Sequence, residues 1–316
     1  GGDVYGGGNA ANVAKNNGSG GTTSVTVNGG TITGTNHGMV FGGGHGDKDH
    51  NPVISANVEG STSVTIHGGT INQVFGGSNS SGTINGGNTD GISVTVEKSG
   101  SCEMHIPDVY GGGNYAASQA GSIDIGCTGT GNSEGITNVY GGANRADVTG
   151  NIVLTIDEGR ITNVFGGNNN SGSISGSITV NIEKKASPCV WDITNVYGGG
   201  NLAEYSGTAT VNIKNGTVDT VFGGGNGDPL DGTQVPGKVG GTVVTIGDAN
   251  PDHYAVVTGN VYGGGNAAKV DGSTSVTYND AHASTSVAKL FGGGNAAGVT
   301  GTAGVSMTNG KVTAGL

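Results

Sequence analysis

Charge is the first thing this chain lacks. Only 11% of its 316 residues are Asp, Glu, Lys or Arg, less than half the usual quarter. Twelve Lys and Arg stand against 23 Asp and Glu, a formal net charge of −11. So acidic a chain argues against nucleic acid and anionic membrane surfaces as partners. No apolar run approaches the ~18 residues of a membrane-spanning helix, so no span is expected. Cysteine occurs three times, too seldom and too unevenly for a disulfide framework. Helix is excluded almost everywhere, because 69 glycines leave few stretches able to sustain it.

What is abundant is one phrase. VYGGGNAA at Val4–Ala11 returns unchanged at Val261–Ala268, with variants VFGGGHGD at Val40–Asp47, VYGGANRA at Val139–Ala146 and LFGGGNAA at Leu290–Ala297. Its aromatic residue occurs ten times, at Tyr5, Phe41, Phe75, Tyr110, Tyr140, Phe165, Tyr197, Phe222, Tyr262 and Phe291, with steps of 25 to 40 residues. A fixed phrase on an uneven period means one structural unit carrying loops of variable length. Val139–Asn163 shows the bare unit: phrase, small polar turn, short strand, alternating strand, glycine turn, short strand.

The alternating segments SVTV at Ser24–Val27, SVTI at Ser63–Ile66, SVTV at Ser93–Val96, SITVNI at Ser177–Ile182 and SVTY at Ser275–Tyr278 put aliphatics on one face and hydroxyls on the other. Such a period of two is a half-buried strand. Glycine turns such as Asn28–Gly30, His67–Gly69 and Lys214–Gly216 follow, where positive φ is easiest. A unit of three short strands cannot bury its apolar face alone, but stacked units can. A β-propeller repeats too, but 25-residue units are too short for four-stranded blades. The expectation is an all-β parallel β-solenoid, a right-handed β-helix by strand-crossover chirality. It has about ten coils of three short strands with variable loops, ~48 Å long at the ordinary strand spacing. The whole of 1–316 reads as one repeat domain. Both ends fall inside a repeat without a cap, so a piece of a longer array is expected.

Stacking turns the phrase into columns: aliphatic, aromatic, glycine and asparagine. The last runs through Asn9, Asn79, Asn114, Asn144, Asn201, Asn226, Asn266 and Asn295, with His45 substituting once. Stacked amides can bond one another from coil to coil. If the valine before the ring faces inward, the ring faces out and forms a sugar-stacking stripe. If the ring faces inward, it packs on glycine and alanine. Tyr and Phe interchange freely, which favours packing. Outward hydroxyls at Thr26, Thr65, Thr95, Thr155, Thr179, Thr245 and Thr277, interrupted by Asp124, read as solvated β-surface.

Chemistry is sparse. GTQVPGKV at Gly232–Val239 has phosphate-loop spacing, but Val239 stands where Ser or Thr is required and no helix follows. No cofactor is expected. His45, Asp47, Asp49 and His50 lie within six residues and supply enough ligands for a divalent ion, although no metal-spacing template is met. Cys102 and Cys127 lie one coil apart, within reach of a disulfide that would leave Cys189 free. Loops after the alternating strand hold the unusual residues: Cys102–His105, Trp191 with Asp192, and Pro251–Tyr254 with His253. An aromatic face beside an acid suits a sugar ring, so Trp191, Asp192, His253 and Tyr254 are the candidate ligand-binding residues. Paired acids on one face, which a hydrolase or lyase would need, are not apparent.

The VYGGGN phrase with SVTVxGGTI before it resembles the glycine-rich repeats of secreted or surface-anchored adhesin-like proteins of gut bacteria, and the resemblance covers the whole chain. It implies an extended bacterial surface or secreted β-helix whose partners are glycans, host-surface components or neighbouring cells, with lateral self-association of rods. It supplies no catalytic residues. The expected function is structural or adhesive and non-enzymatic; the alternative is a β-helix polysaccharide lyase or glycoside hydrolase with its site in the edge loops.

Overall fold

The computed structural model describes residues 2–85, 91–99, 102–131, 133–186, 188–228, 236–280, 282 and 284–313; part of the phosphate-loop look-alike lies outside these. Among them there is no helix, and so none long and apolar enough to cross a membrane. The chain is a parallel β-solenoid whose coils stack in register.

Two sides of each coil are strands. The alternating segments form one column, in which Val25 pairs with Val64, Val64 with Val94, Val94 with Ile123 and Ile123 with Leu154. The strands that lead into the phrase form the other, running from Val4–Tyr5 through Met39–Phe41 and Gln73–Phe75 to Ser286–Phe291. The third side is thinner, held by single bridges such as Val13 to Val58, Val148 to Ile174 and Val270 to Val299. The turns follow the expected chemistry: Gly30, Gly69 and Gly216 take φ of +96°, +114° and +97°.

Alternation puts Val64, Ile66, Val94, Val96, Leu154 and Ile156 inside, each fully buried. The segment at Ser177–Ile182 pairs two residues later than the SVTV pattern suggests. Val153 meets Thr179 and Thr155 meets Asn181, so Thr179 belongs to the serine column and Asn181 to the threonine column. A two-residue slip keeps every side chain on its own face, which is why the pattern could not reveal it. Asp124 does sit in the threonine column, between Thr95 and Thr155.

The ring orientation combines both expectations. Val40, Val74, Val109, Val139 and Val164 point into the aliphatic interior, so the rings that follow lie on the opposite face. Yet Phe41, Phe75, Tyr110, Tyr140, Phe165, Tyr197 and Phe222 are buried too, as a second, aromatic core. All ten rings stack in one unbroken column, with centroids 4.5 to 5.1 Å apart and planes within 12°. The coil spacing imposes this geometry, and each aromatic pair adds roughly 0.5–1.5 kcal/mol beyond area burial.

The glycine after each ring is required by close approach. A Cβ on Gly6 would lie 2.5 Å from Gly42 O, and one on Gly76 2.5 Å from Gly111 O. The asparagine column flanks the rings. Asn79 Nδ2 donates to the Tyr5 hydroxyl at 2.9 Å and Asn169 Nδ2 to that of Tyr110 at 3.0 Å. The amides form a chain Asn79–Asn114–Asn144–Asn169–Asn201–Asn226–Asn266–Asn295, each donating to the Oδ1 before it at 2.8–3.1 Å. Asn169, missing from the column read in the sequence, closes it. Its phrase reads GGNNN, which hides the register.

Phe165, 3% exposed and stacked on both faces, should cost roughly 3–5 kcal/mol when replaced by Ala. Urea unfolding checks this, and a loss under about 1 kcal/mol would contradict a buried ring. A second expectation concerns alkali. Burial lifts the phenols of Tyr5 and Tyr197 from 10.0 to about 12 and those of Tyr110 and Tyr140 further. The folded rings thus keep protons that the unfolded chain loses above its ordinary value near 10. The part owed to Tyr5 and Tyr197 is complete below pH ~10 and is lost as the pH rises through about 12, while Tyr110 and Tyr140 hold their protons to higher pH still. Unfolding midpoints from pH 8 to 12.5 should show this loss only above pH ~10.

Candidate functional site

With the phrase absorbed into the scaffold, accessible chemistry gathers at the edge where the alternating strand turns into the phrase strand. Trp191 opens the strand Trp191–Tyr197. Two residues on, Ile193 pairs with Val218 of the next coil, so Trp191 stands above Gly216. Gly216 in turn pairs with Ala255, the residue after Tyr254. Trp191 and Tyr254 therefore share an edge two coils apart, roughly 10 Å at the strand spacing.

Their roles differ. Trp191 is half-buried against the aliphatic core and lies over Gly216, where a Cβ would come within 2.7 Å of its Cζ2. Its indole N–H donates to Thr217 O at 2.5 Å. It is thus in large part a packing residue, and Gly216 is required both by positive φ and by the ring. Tyr254 is 40% exposed and stacks on His282 at 5.3 Å. Beside it His253 Nδ1 meets Asp248 Oδ2 at 2.8 Å. Buried Asp280 fixes the local backbone, accepting from Ala255 N at 3.2 Å and His282 N at 2.9 Å. Asp192 is exposed and paired with Arg160 at 3.2 Å.

In the loop nominated for a metal ion, each of the four side chains has a partner in this structure. His45 Nδ1 contacts Gly46 O and its ring packs edge-on to Tyr5 at 5.3 Å. Asp47 Oδ1 accepts the backbone N–H of Asp49 and His50 at 3.0 and 3.2 Å. Asp49 pairs with Lys48, and His50 Nδ1 lies 2.8 Å from Pro52 O. Each residue has a partner that serves the loop's own geometry.

The disulfide expectation is corrected. Cys127 bonds Cys189, and Cys102 is free and exposed. The Cys102 side chain lies against Gly29 and Gly68 on the preceding coils. The loop before Trp191 folds back, with Val190 N–H donating to Gly129 O at 3.1 Å, and so delivers Cys189 across the intervening coil. Spacing along the chain carries no trace of that return.

Three further groupings escaped the sequence. Lys98 and Glu134 form a largely buried ion pair. Its lysine, with the Gly131 N–H, holds the Glu134 carboxyl below its usual range against the cost of burial. Asp124, Asp157, Glu97 and Lys185 act on one another electrostatically across the outer face. Burial first, then Asp157, pushes the Asp124 carboxyl up, and Lys185 pairs with Asp157. Exposed Tyr115 lies between Lys48 at 5.2 Å and Arg145 at 5.6 Å. A signal for it exists, since GGGNY replaces the small residue that follows asparagine in GGGNA.

An open groove of about 810 Å³ on the third side is lined by Ser171, Ser173, Leu202, Glu204, Lys238 and Asp271 among others. Its charges neutralise one another, Lys238 lying 3.4 Å from Glu204 and 3.7 Å from Asp271.

Trp191→Ala should lower stability by roughly 1–2 kcal/mol, the scale of a half-buried large side chain. An unchanged urea midpoint would show that the indole contributes no packing.

No protein-family model, no curated protein and no solved structure matches this chain.

Proposed function

We propose that the chain is a non-enzymatic structural and adhesive rod, secreted or displayed on a bacterial surface, whose turn edge contacts neutral glycans. The observation that carries this reading is the absorption of the repeated phrase into ladders. Ten rings stack without a break and eight asparagines bond in sequence. Repetition on this scale serves stiffness and reach, and leaves the loops free for contact. The Cys127–Cys189 disulfide supports an oxidising, extracellular setting. Tyr254 stacked on His282, with the His253–Asp248 pair beside it, supplies an apolar ring face next to hydrogen-bonding groups. The net charge of −11 favours a neutral or cationic glycan over an acidic one.

The second reading, a polysaccharide hydrolase or lyase, is favoured by one feature. A carboxyl raised by burial, a neighbouring carboxylate and a lysine are the groups that acid–base cleavage uses, and Asp124, Asp157 and Lys185 combine them.

A glycan array followed by reducing-sugar and unsaturated-product assays separates the two. Under the adhesive reading the chain binds without turnover, and Tyr254→Ala removes binding while the unfolding free energy stays within ~0.5 kcal/mol of the parent. Turnover that Asp124→Asn abolishes would replace this reading with the second. Binding indifferent to Tyr254→Ala would take the contact away from this edge.

A further inference from the structure

Among the described residues, one group brings three or more ligand-type side chains together: Cys127, Glu158 and Cys189, whose sulfur and carboxylate atoms all lie within 4.8 Å of one another. The adhesive reading gives Glu158 no task. Its position follows from the fold. Ile125 pairs with Ile156, so Cys127 and Glu158 stand two residues past matching positions on adjacent coils. The next coil then sends its loop back over them.

That return does not depend on the sulfur–sulfur bond. At one end Lys185 N–H donates to Asp157 O at 2.9 Å, and the Lys185 side chain pairs with the same aspartate. At the other end Val190 donates to Gly129 O at 3.1 Å, while Gly159 N–H donates to Val190 O at 3.2 Å. Trp191 follows at once, anchored on Gly216 and Thr217. Backbone bonds therefore hold Cys189 beside Cys127 and Glu158 from both sides.

We propose that this triad is a metal site gated by the disulfide: once Cys127–Cys189 is reduced, the two thiolates and the Glu158 carboxylate bind a thiophilic divalent cation such as Zn²⁺. Two thiolates and a carboxylate with water in the fourth position make a tetrahedral set suited to zinc and unsuited to calcium or magnesium. In the reduction, two equivalents of a small thiol are oxidised to their own disulfide and the protein disulfide becomes two thiols. Each thiol then loses its proton to solvent as its sulfur bonds the ion, so binding releases two protons and strengthens as pH rises. The loop is stapled in either state, by the disulfide when oxidised and by the ion when reduced.

The test uses the whole chain carrying Cys102→Ser, which removes the free thiol. It is reduced with a trialkylphosphine, which gives two electrons to the disulfide and takes the oxygen of one water to become its oxide, that water's two hydrogens ending on the two thiols, so that no competing thiol is left. Co²⁺ is titrated as the probe, then displaced with Zn²⁺. The expected result is one Co²⁺ per reduced chain, with a thiolate-to-metal charge-transfer band and a tetrahedral visible spectrum. Trp191, the single tryptophan and two residues from Cys189, should change its emission in step. The oxidised chain should give no such band. It keeps the His45–His50 loop intact, so any ion held there is part of the baseline. Glu158→Gln, which leaves the disulfide in place, should weaken binding roughly tenfold or more, and Cys127→Ser should abolish the band. Absence of the band in the reduced chain, its survival in Cys127→Ser or unchanged affinity in Glu158→Gln would overturn the proposal. So would loss of the far-ultraviolet β signal on reduction before any metal is added, since the backbone would then not hold the triad.

Discussion

Everything in this molecule depends on coil lying on coil in register at the spacing of hydrogen-bonded parallel strands. That distance, about 4.8 Å, is close to the separation at which aromatic rings touch face to face and at which one amide reaches the next. Once the backbone sets it, identical residues at identical places become continuous ladders. Ten rings stack at 4.5–5.1 Å, and eight asparagines bond at 2.8–3.1 Å. The constraint also explains the glycines, because coils this close leave no room for a Cβ between Gly76 and Gly111 O.

A second consequence is a strand with two cores. In an ordinary half-buried strand one face packs and the other meets water. Here, from Val40–Phe41 to Val221–Phe222, the valine of the phrase enters the aliphatic interior and the following ring is buried on the opposite face, covered by its own neighbours and by the asparagine column. Tyrosine and phenylalanine can therefore exchange along the stack. The ring faces do the packing, and a hydroxyl needs only a nearby amide at the rim, as Asn79 provides for Tyr5.

Because the ladders consume the repeated residues, what is chemically distinctive lies where the repeat is broken. Trp191 fills the space above a glycine, Tyr254 lies against His282, and Asp124 replaces a threonine in an outward column. The disulfide joins loops two coils apart and encloses Glu158. These are single departures on a periodic background, and the proposed glycan edge and metal triad both use such departures.

Sequence alone determined the periodic part: the all-β solenoid, the ten rings, the inward aliphatics of the alternating strands and the glycine turns. Each of these is written many times over, so an error in one copy does not change the reading. Two copies hide their register. A slip of two residues at Ser177–Ile182 preserves the pattern of faces, and GGNNN concealed Asn169, so neither left a mark in the alternation. Tertiary structure alone decided which cysteines meet, that Trp191 packs more than it displays, and that Glu158 lies with the sulfurs. These contacts occur once, between loops of unequal length whose path is set by single hydrogen bonds such as Val190 to Gly129. Periodicity carries no information about them, since a loop's return is fixed by the surface it lands on.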